Sequence, residues 1–179
     1  MAISNKKALE AAKTLVINKE ARVLDVTCGS RGIWFDKNYK HAIYCDARRE
    51  HHERTDDKGV TRKIDVSPDM QCNFADLPFE DNTFALVVFD PPHAIRLSEK
   101  SWLCKKYGQY DNEKDMMDNV AAGFRECMRV LKPDGTLVFK WAEVSVSARD
   151  IIKAFGQAPL FGVRLGKKMG THWMVFLKE

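Results

Sequence analysis

A continuous apolar run, Phe84-Ala85-Leu86-Val87-Val88-Phe89, stops at Asp90-Pro91-Pro92-His93. That junction constrains the fold more than any other stretch. An apolar run without alternation reads as a strand buried on both faces. Prolines fix φ and carry no N–H, so two of them end the strand and leave nearby carbonyls unclaimed. With the Asp90 carboxylate they form a rim of hydrogen-bond acceptors, and His93 sets a ring beside it. Such a rim suits a planar amine: the acceptors hold its N–H groups while a ring stacks on its face. Asp-Pro is also common in ordinary turns, so the surrounding pattern has to decide.

That pattern alternates strands with helices. Residues 5–17 have helical apolar spacing (Ala8, Leu9, Ala12, Leu15, Val16). Strands are expected at 22–27, 42–45, 70–74, 84–89 and 136–141. A helix from Lys114 to Leu131 is expected to end at Pro133-Asp134-Gly135, and another over 148–155 to be closed by Gly156. Residues 47–63 are polar and predict a weak helix or a long loop, and 94–112 an irregular stretch. Strands at 161–165 and 172–177, joined by a hairpin at 166–170, complete the chain. The order predicts one α/β domain over residues 1–179: a doubly wound, seven-stranded, mostly parallel sheet whose last strand is antiparallel. Ligands of such sheets bind outside the carboxyl ends of the strands, where the strand order reverses.

Three strand ends carry groups suited to a nucleoside. Strand one runs into Asp25-Val26-Thr27-Cys28-Gly29-Ser30-Arg31-Gly32. A glycine there lets the backbone approach a ligand, and a following helix would offer free N–H groups. Strand two ends at Asp46, an acid able to accept from both ribose hydroxyls. Strand three ends at Asn73-Phe74, an amide for an adenine edge and a ring for its face. A nicotinamide dehydrogenase wants Gly-x-Gly-x-x-Gly after strand one, and only Gly29 and Gly32 stand there.

Taken together, residues 22–32, Asp46, the stretch 73–89 and Val130-Leu131-Lys132-Pro133-Asp134-Gly135-Thr136-Leu137 resemble the conserved stretches of class I methyltransferases that use S-adenosylmethionine (SAM). Asp90-Pro91-Pro92-His93 resembles the Asp/Asn-Pro-Pro-aromatic motif of the amino-methyltransferases among them, and small phage- or prophage-type enzymes look nearest. The resemblance implies the Rossmann-like methyltransferase fold, SAM as cofactor, and methyl transfer to an amino nitrogen, adenine N6 of a nucleic acid being favoured. It implies cofactor contacts from Asp25, Thr27, Cys28, Gly29, Asp46, Ala47, Asn73 and Phe74, and a catalytic set of Asp90, Pro91, Pro92 and His93. The chain departs from the family pattern at Thr27 and Arg31, where glycines are common, at Asn73, where an acid is usual, and at Ala85, where Asp is frequent.

The loop 94–112 interleaves cations with aromatics, a mix suited to stacking on bases and touching phosphates. Arg96, Trp102 and Tyr107 there, with Lys140 at the end of strand five, are candidate substrate residues. A net charge of +4 permits a nucleic-acid partner without requiring one. No apolar run reaches the ~18 residues of a membrane span, and the start of the chain leads into an Ala- and Lys-rich helix, so no membrane and a cytoplasmic location are expected. The five cysteines (28, 45, 72, 104, 127) form no Cys-x-x-Cys pair, which argues against zinc or a disulfide framework. No target-recognition domain is expected within 179 residues, so loops or a partner would supply specificity. Two alternatives stay open: methylation of a protein glutamine or a small-molecule amine, and a non-catalytic SAM-binding protein.

Overall fold

The computed structural model describes residues 2–98, 101–164 and 170–179. Helix α1 (Ala2–Lys19) precedes strands β1 (Val23–Asp25) and β2 (Ala42–Asp46). Strands β3 (Glu50–Thr55) and β4 (Thr61–Val66) follow, then β5 (Met70–Gln71) and β6 (Phe84–Phe89). Helices α2 (Trp102–Tyr107) and α3 (Glu113–Val130) lead to β7 (Leu131–Ala142). Helix α4 (Ala148–Phe155), β8 (Phe161–Arg164) and β9 (Thr171–Leu177) end the chain.

Seven strands form one sheet in the order β5-β2-β1-β6-β7-β9-β8. Pairs are parallel from β5 to β7, and β9 is antiparallel to both of its neighbours. This is the sheet expected from the sequence. Its order reverses between β1 and β6, which places the ends of those strands at the predicted switch point. Leu24, Ile43, Val87, Leu137 and Phe176 sit in register across the sheet, and all are fully buried. They form one core with Met116, Val120, Phe124 and Cys127 of α3 and Ile151 of α4. Each such side chain contributes roughly 1.5–3 kcal/mol by leaving water. On the opposite face, Tyr44 is covered by Trp34 (ring centroids 4.9 Å apart) and by the Arg31 guanidinium 3.9 Å from its ring.

The connections depart from expectation. Residues 47–63, read as a weak helix or loop, contain β3 and the first half of β4, which pair as a separate antiparallel ribbon. The ribbon carries few apolar residues, and only Ile64 and Val66 are buried, so its period-2 signal is faint. No helix follows β1; residues 26–41 are turns and irregular chain. Side-chain clamps hold these segments instead. Arg31 donates to the Lys37 and Ser67 carbonyls at 2.7 and 2.9 Å. Arg129 on α3 donates to the Leu77 and Phe79 carbonyls at 2.9 and 2.8 Å, while Glu126 accepts from Leu77 N.

Residues 94–112 are also more ordered than expected. Tyr110 N donates to the Ala94 carbonyl and Arg96 N to the Tyr110 carbonyl, both at 3.0 Å, closing the base of the loop. The loop carries α2, capped by Ser101. Helix α3 gives way directly to β7 at Leu131, ahead of Pro133-Asp134-Gly135. The hairpin read at 166–170 lies outside the described residues except for Gly170.

Candidate active site

A cavity of about 350 Å³ opens at the carboxyl ends of the parallel strands. One wall is the turn after β1 (Thr27, Cys28, Gly29, Ser30, Gly32, Ile33) and the end of β2 (Asp46, Ala47, Arg48), with Phe74 from the segment after β5. The other is the end of β6 (Asp90, Pro92), the segment Lys106-Tyr107-Gly108-Gln109, and Lys140 of β7. The two walls touch: the Asp90 backbone N–H donates to the Thr27 hydroxyl at 2.8 Å. Thr27, a departure from the family pattern, is thus the cross-link between the glycine turn and the acid-proline loop.

The first wall is organised by charge. Asp46 is buried, with Oδ2 accepting from Gly29 N at 2.9 Å. Its Oδ1 accepts from Arg48 N at 2.9 Å and Arg48 Nε at 3.1 Å. Arg48 also reaches the Glu50 carboxylate at 3.2 Å and the Lys105 carbonyl at 3.0 Å, tying β2 to the ribbon and to α2. Gly29 has φ 49 and Arg31 φ 55. The second value shows why a glycine is common there: an L-residue pays for left-handed backbone, and Arg31 is retained through its clamp and its stacking on Tyr44. Asp25 lies beneath the wall. Its oxygens accept from Trp34 Nε1 at 2.7 Å and Thr27 N at 3.1 Å, and burial pushes its carboxyl up to about 7 against those two bonds. Asn73 is also off the wall, its Oδ1 accepting from Ala75 N at 2.9 Å. Burial pushes the Cys28 thiol up, which keeps it a neutral, small apolar group.

The second wall is organised by packing. Lys140 Nζ lies 2.5 Å from Asp90 Oδ2, so Lys140, expected as a substrate residue, is paired with the acid of the proline loop. Pro92 faces the cavity, whereas Pro91 is buried behind it. The His93 ring packs 5.7 Å from Tyr107 and 6.3 Å from Trp141 (centroids), and it does not line the cavity. Burial holds its imidazole below the ordinary value; Lys140 adds to this and Asp90 opposes it. The aromatic ring on this wall is therefore Tyr107, with Lys106 Nζ 4.9 Å from its centroid. Arg96, which donates to the Asp111 carbonyl, and Trp102 stay away from the cavity. Sequence reasoning missed Arg48, Gly108 and Gln109 as wall residues. The glycine after Tyr107 was the available signal for a close backbone approach.

No protein-family model and no curated protein sequence matches the chain. Solved structures do. The PH0226 protein from Pyrococcus horikoshii OT3 is 15% identical, with 99% of this chain and 91% of that chain covered and a TM-score of 0.55. A geranyl diphosphate methyltransferase solved with GPP and sinefungin is 10% identical, with 89% and 71% covered and a TM-score of 0.53. The N-methyltransferase NodS from Bradyrhizobium japonicum is 11% identical, with 98% and 96% covered and a TM-score of 0.51. At these identities the likeness is one of fold: the chain has the Rossmann-like sheet of class I methyltransferases. Among the described residues no helix is long and apolar enough to cross a membrane, and no His/Cys/Asp/Glu cluster is arranged for a metal.

Proposed function

We propose that the protein transfers a methyl group from SAM to an amino nitrogen, with the exocyclic amine of a nucleic-acid base, adenine N6 first, as acceptor. One observation carries the reading: the glycine turn and the acid-proline loop line the same cavity and are bonded to each other through Thr27 and Asp90. The shared fold with methyltransferases supports it.

The wall of β1 and β2 fits SAM. Around Cys28 and Gly29 it presents backbone with little side chain, Asp46 is an acid for ribose hydroxyls, and Phe74 is a ring for the adenine. Ribose hydroxyls there would replace the Arg48 guanidinium on Asp46. When bound, SAM supplies a methyl group already activated by its sulfonium, so the protein has mainly to position and solvate. Lys140 holds Asp90 Oδ2, which leaves Oδ1 to accept an N–H of the amine. As nitrogen gains positive charge in the transition state, that carboxylate stabilises it and can receive the released proton at Oδ1. Tyr107 offers the face on which a flat acceptor stacks. A base within a duplex would have to be flipped out to reach it.

The non-catalytic reading has one observation in its favour, the occupation of Asp46 by Arg48. Incubation with tritiated SAM and separate DNA, RNA and protein pools decides between the readings. Label on N6-methyladenosine or its deoxy form is the expected result. Label confined to protein selects the glutamine reading, and no label in any pool contradicts a macromolecular acceptor.

A further inference from the structure

The ribbon of β3 and β4 has two unlike faces. On one face every cross-strand pair is matched. His51 lies 3.9 Å from Asp65, Lys63 lies 3.1 Å from Glu53, and the Thr55 and Thr61 hydroxyls share a hydrogen bond of 3.0 Å. Alternation puts Glu50, His52 and Arg54 on the other face, opposite Val66, Ile64 and Arg62. Its outer pair is two arginines, one directly across from the other. Both are exposed, and neither guanidinium makes a hydrogen bond or ion pair among the described residues. Like charges directly opposite destabilise a strand pair. Such a pair, set behind a fully matched face, is explained by an anion that binds it.

The face that carries the arginines is also the one joined to the cavity. Its inner end is seated on the body: Ile64 and Val66 are buried, and the Glu50 carboxylate accepts from Arg48 at 3.2 Å. Arg48 lines the cavity, and its guanidinium also reaches the Lys105 carbonyl of α2 at 3.0 Å. At the rise of a strand, Arg54 stands about 14 Å beyond Glu50. On the cavity wall, Lys106 and Tyr107 add a second cation and a ring. A stacked base followed by a string of phosphates uses all of these groups, whereas an acidic peptide would leave the ring idle.

We propose that the ribbon is an arm for the phosphodiester backbone of a nucleic-acid strand, with Arg54 and Arg62 on phosphates outside the cavity while the target base lies inside it. This rests on the nucleic-acid reading of the site. Guanidinium forks match phosphate oxygens in pairs. Contacts to phosphate give hold and position and carry no base sequence, so the arm supplies affinity without choosing the target.

The test measures fluorescence anisotropy of labelled single-stranded DNA and RNA oligonucleotides containing adenine over a range of salt, and methyl transfer to the same oligonucleotides. Wild type is compared with the double variants Arg54→Gln/Arg62→Gln and Arg54→Lys/Arg62→Lys. A third double variant, Arg149→Gln/Lys153→Gln, removes the same charge from exposed positions of α4. The ribbon Gln variant should bind about tenfold or more weaker and flatten the slope of log K against log salt by about 1.4, or ~0.7 for each phosphate lost. Its KM for the oligonucleotide rises while kcat stays within about twofold. The Lys variant keeps the salt slope, and the α4 variant binds as the wild type does. SAM affinity by calorimetry is unchanged throughout, and the unfolding midpoint of the ribbon Gln variant does not fall, because a repulsion is removed. A ribbon Gln variant that binds like the wild type, or an α4 variant that loses as much, overturns the arm while leaving methyl transfer standing. A wild type that binds polyglutamate and no oligonucleotide gives the arginines to an acidic protein and overturns the inference. A wild type that neither binds nor methylates an oligonucleotide overturns the nucleic-acid reading and this inference with it.

Discussion

The two walls of the cavity are built on different physics. The wall of β1 and β2 is a set of charged and polar contacts, with Asp46 shared between Gly29 and Arg48 and Arg31 clamping a segment that has no helix. The wall of β6 and α2 is a packed assembly in which Gly108 rests on Pro92 and His93 is wedged between Tyr107 and Trp141. The ion pair of Lys140 with Asp90 is its polar centre. On the proposed function, ribose hydroxyls would take the place of Arg48 on Asp46 in the first wall. The second fixes the angle at which an acceptor arrives.

Variants can break or sharpen the contrast. Asp90→Ala has the largest expected effect, a fall in methyl transfer of about 10²-fold or more with SAM affinity retained by calorimetry. Equal loss of SAM affinity would erase the distinction between the walls. Asp46→Ala should do the reverse, raising the Kd for SAM about tenfold or more, roughly 1.4 kcal/mol per tenfold, in the same measurement.

The base shared by the walls is tested by Gly123→Ala on α3. A Cβ there would meet Phe74 Cδ2 at 2.5 Å and Phe89 Cζ at 2.7 Å. A change that ordinarily favours a helix should therefore destabilise the protein by about 1–3 kcal/mol in denaturant unfolding.

Asp25 makes the cofactor wall sensitive to pH. Its carboxyl titrates near 7 in the fold because it is buried and near 3.9 in the unfolded chain. Between those values the folded state holds one proton more, so stability falls as pH rises from about 4 to about 7, and the group adds no further slope above that. Asp25→Asn should flatten the dependence by up to about 1.4 kcal/mol per pH unit, read from unfolding midpoints across that range. His93→Phe has the smallest expected effect, less than about twofold in kcat/KM, a surface-like magnitude, because the ring supports Tyr107 from behind. A large loss of transfer with unchanged stability would return the stacking role to residue 93.

The acceptor wall was the more legible of the two in its sequence. The run 84–89 and the apolar stripe of α3 (Met116, Val120, Phe124, Cys127) are buried as their spacing implied, and the proline pair stops β6 where it had to. What the sequence could not show was which proline faces the cavity and which aromatic ring does. Both depend on how α2, a six-residue helix too short for a periodic signal, seats Gly108 on Pro92. On the cofactor wall the strand ends were legible and the connections were not. The segment 50–66 is mostly charged, with its pairing pinned by Ile64 and Val66. The absence of a helix after β1 depends on contacts of Trp34 with Asp25 and Arg31 with Tyr44 that no local pattern announces. Thr27 and Arg31, departures at the sequence level, prove to be the residues that join and clamp this wall.

The central claim is that one cavity holds a sulfonium on the first wall and an amine on the second. A crystal structure with S-adenosylhomocysteine tests it most directly. The account predicts ribose hydroxyls on Asp46, Arg48 swung off that carboxylate, the adenine against Phe74, and the sulfur facing the free oxygen of Asp90. A ligand found elsewhere on the protein, or bound with Arg48 still on Asp46 and its sulfur turned away from Asp90, would contradict it.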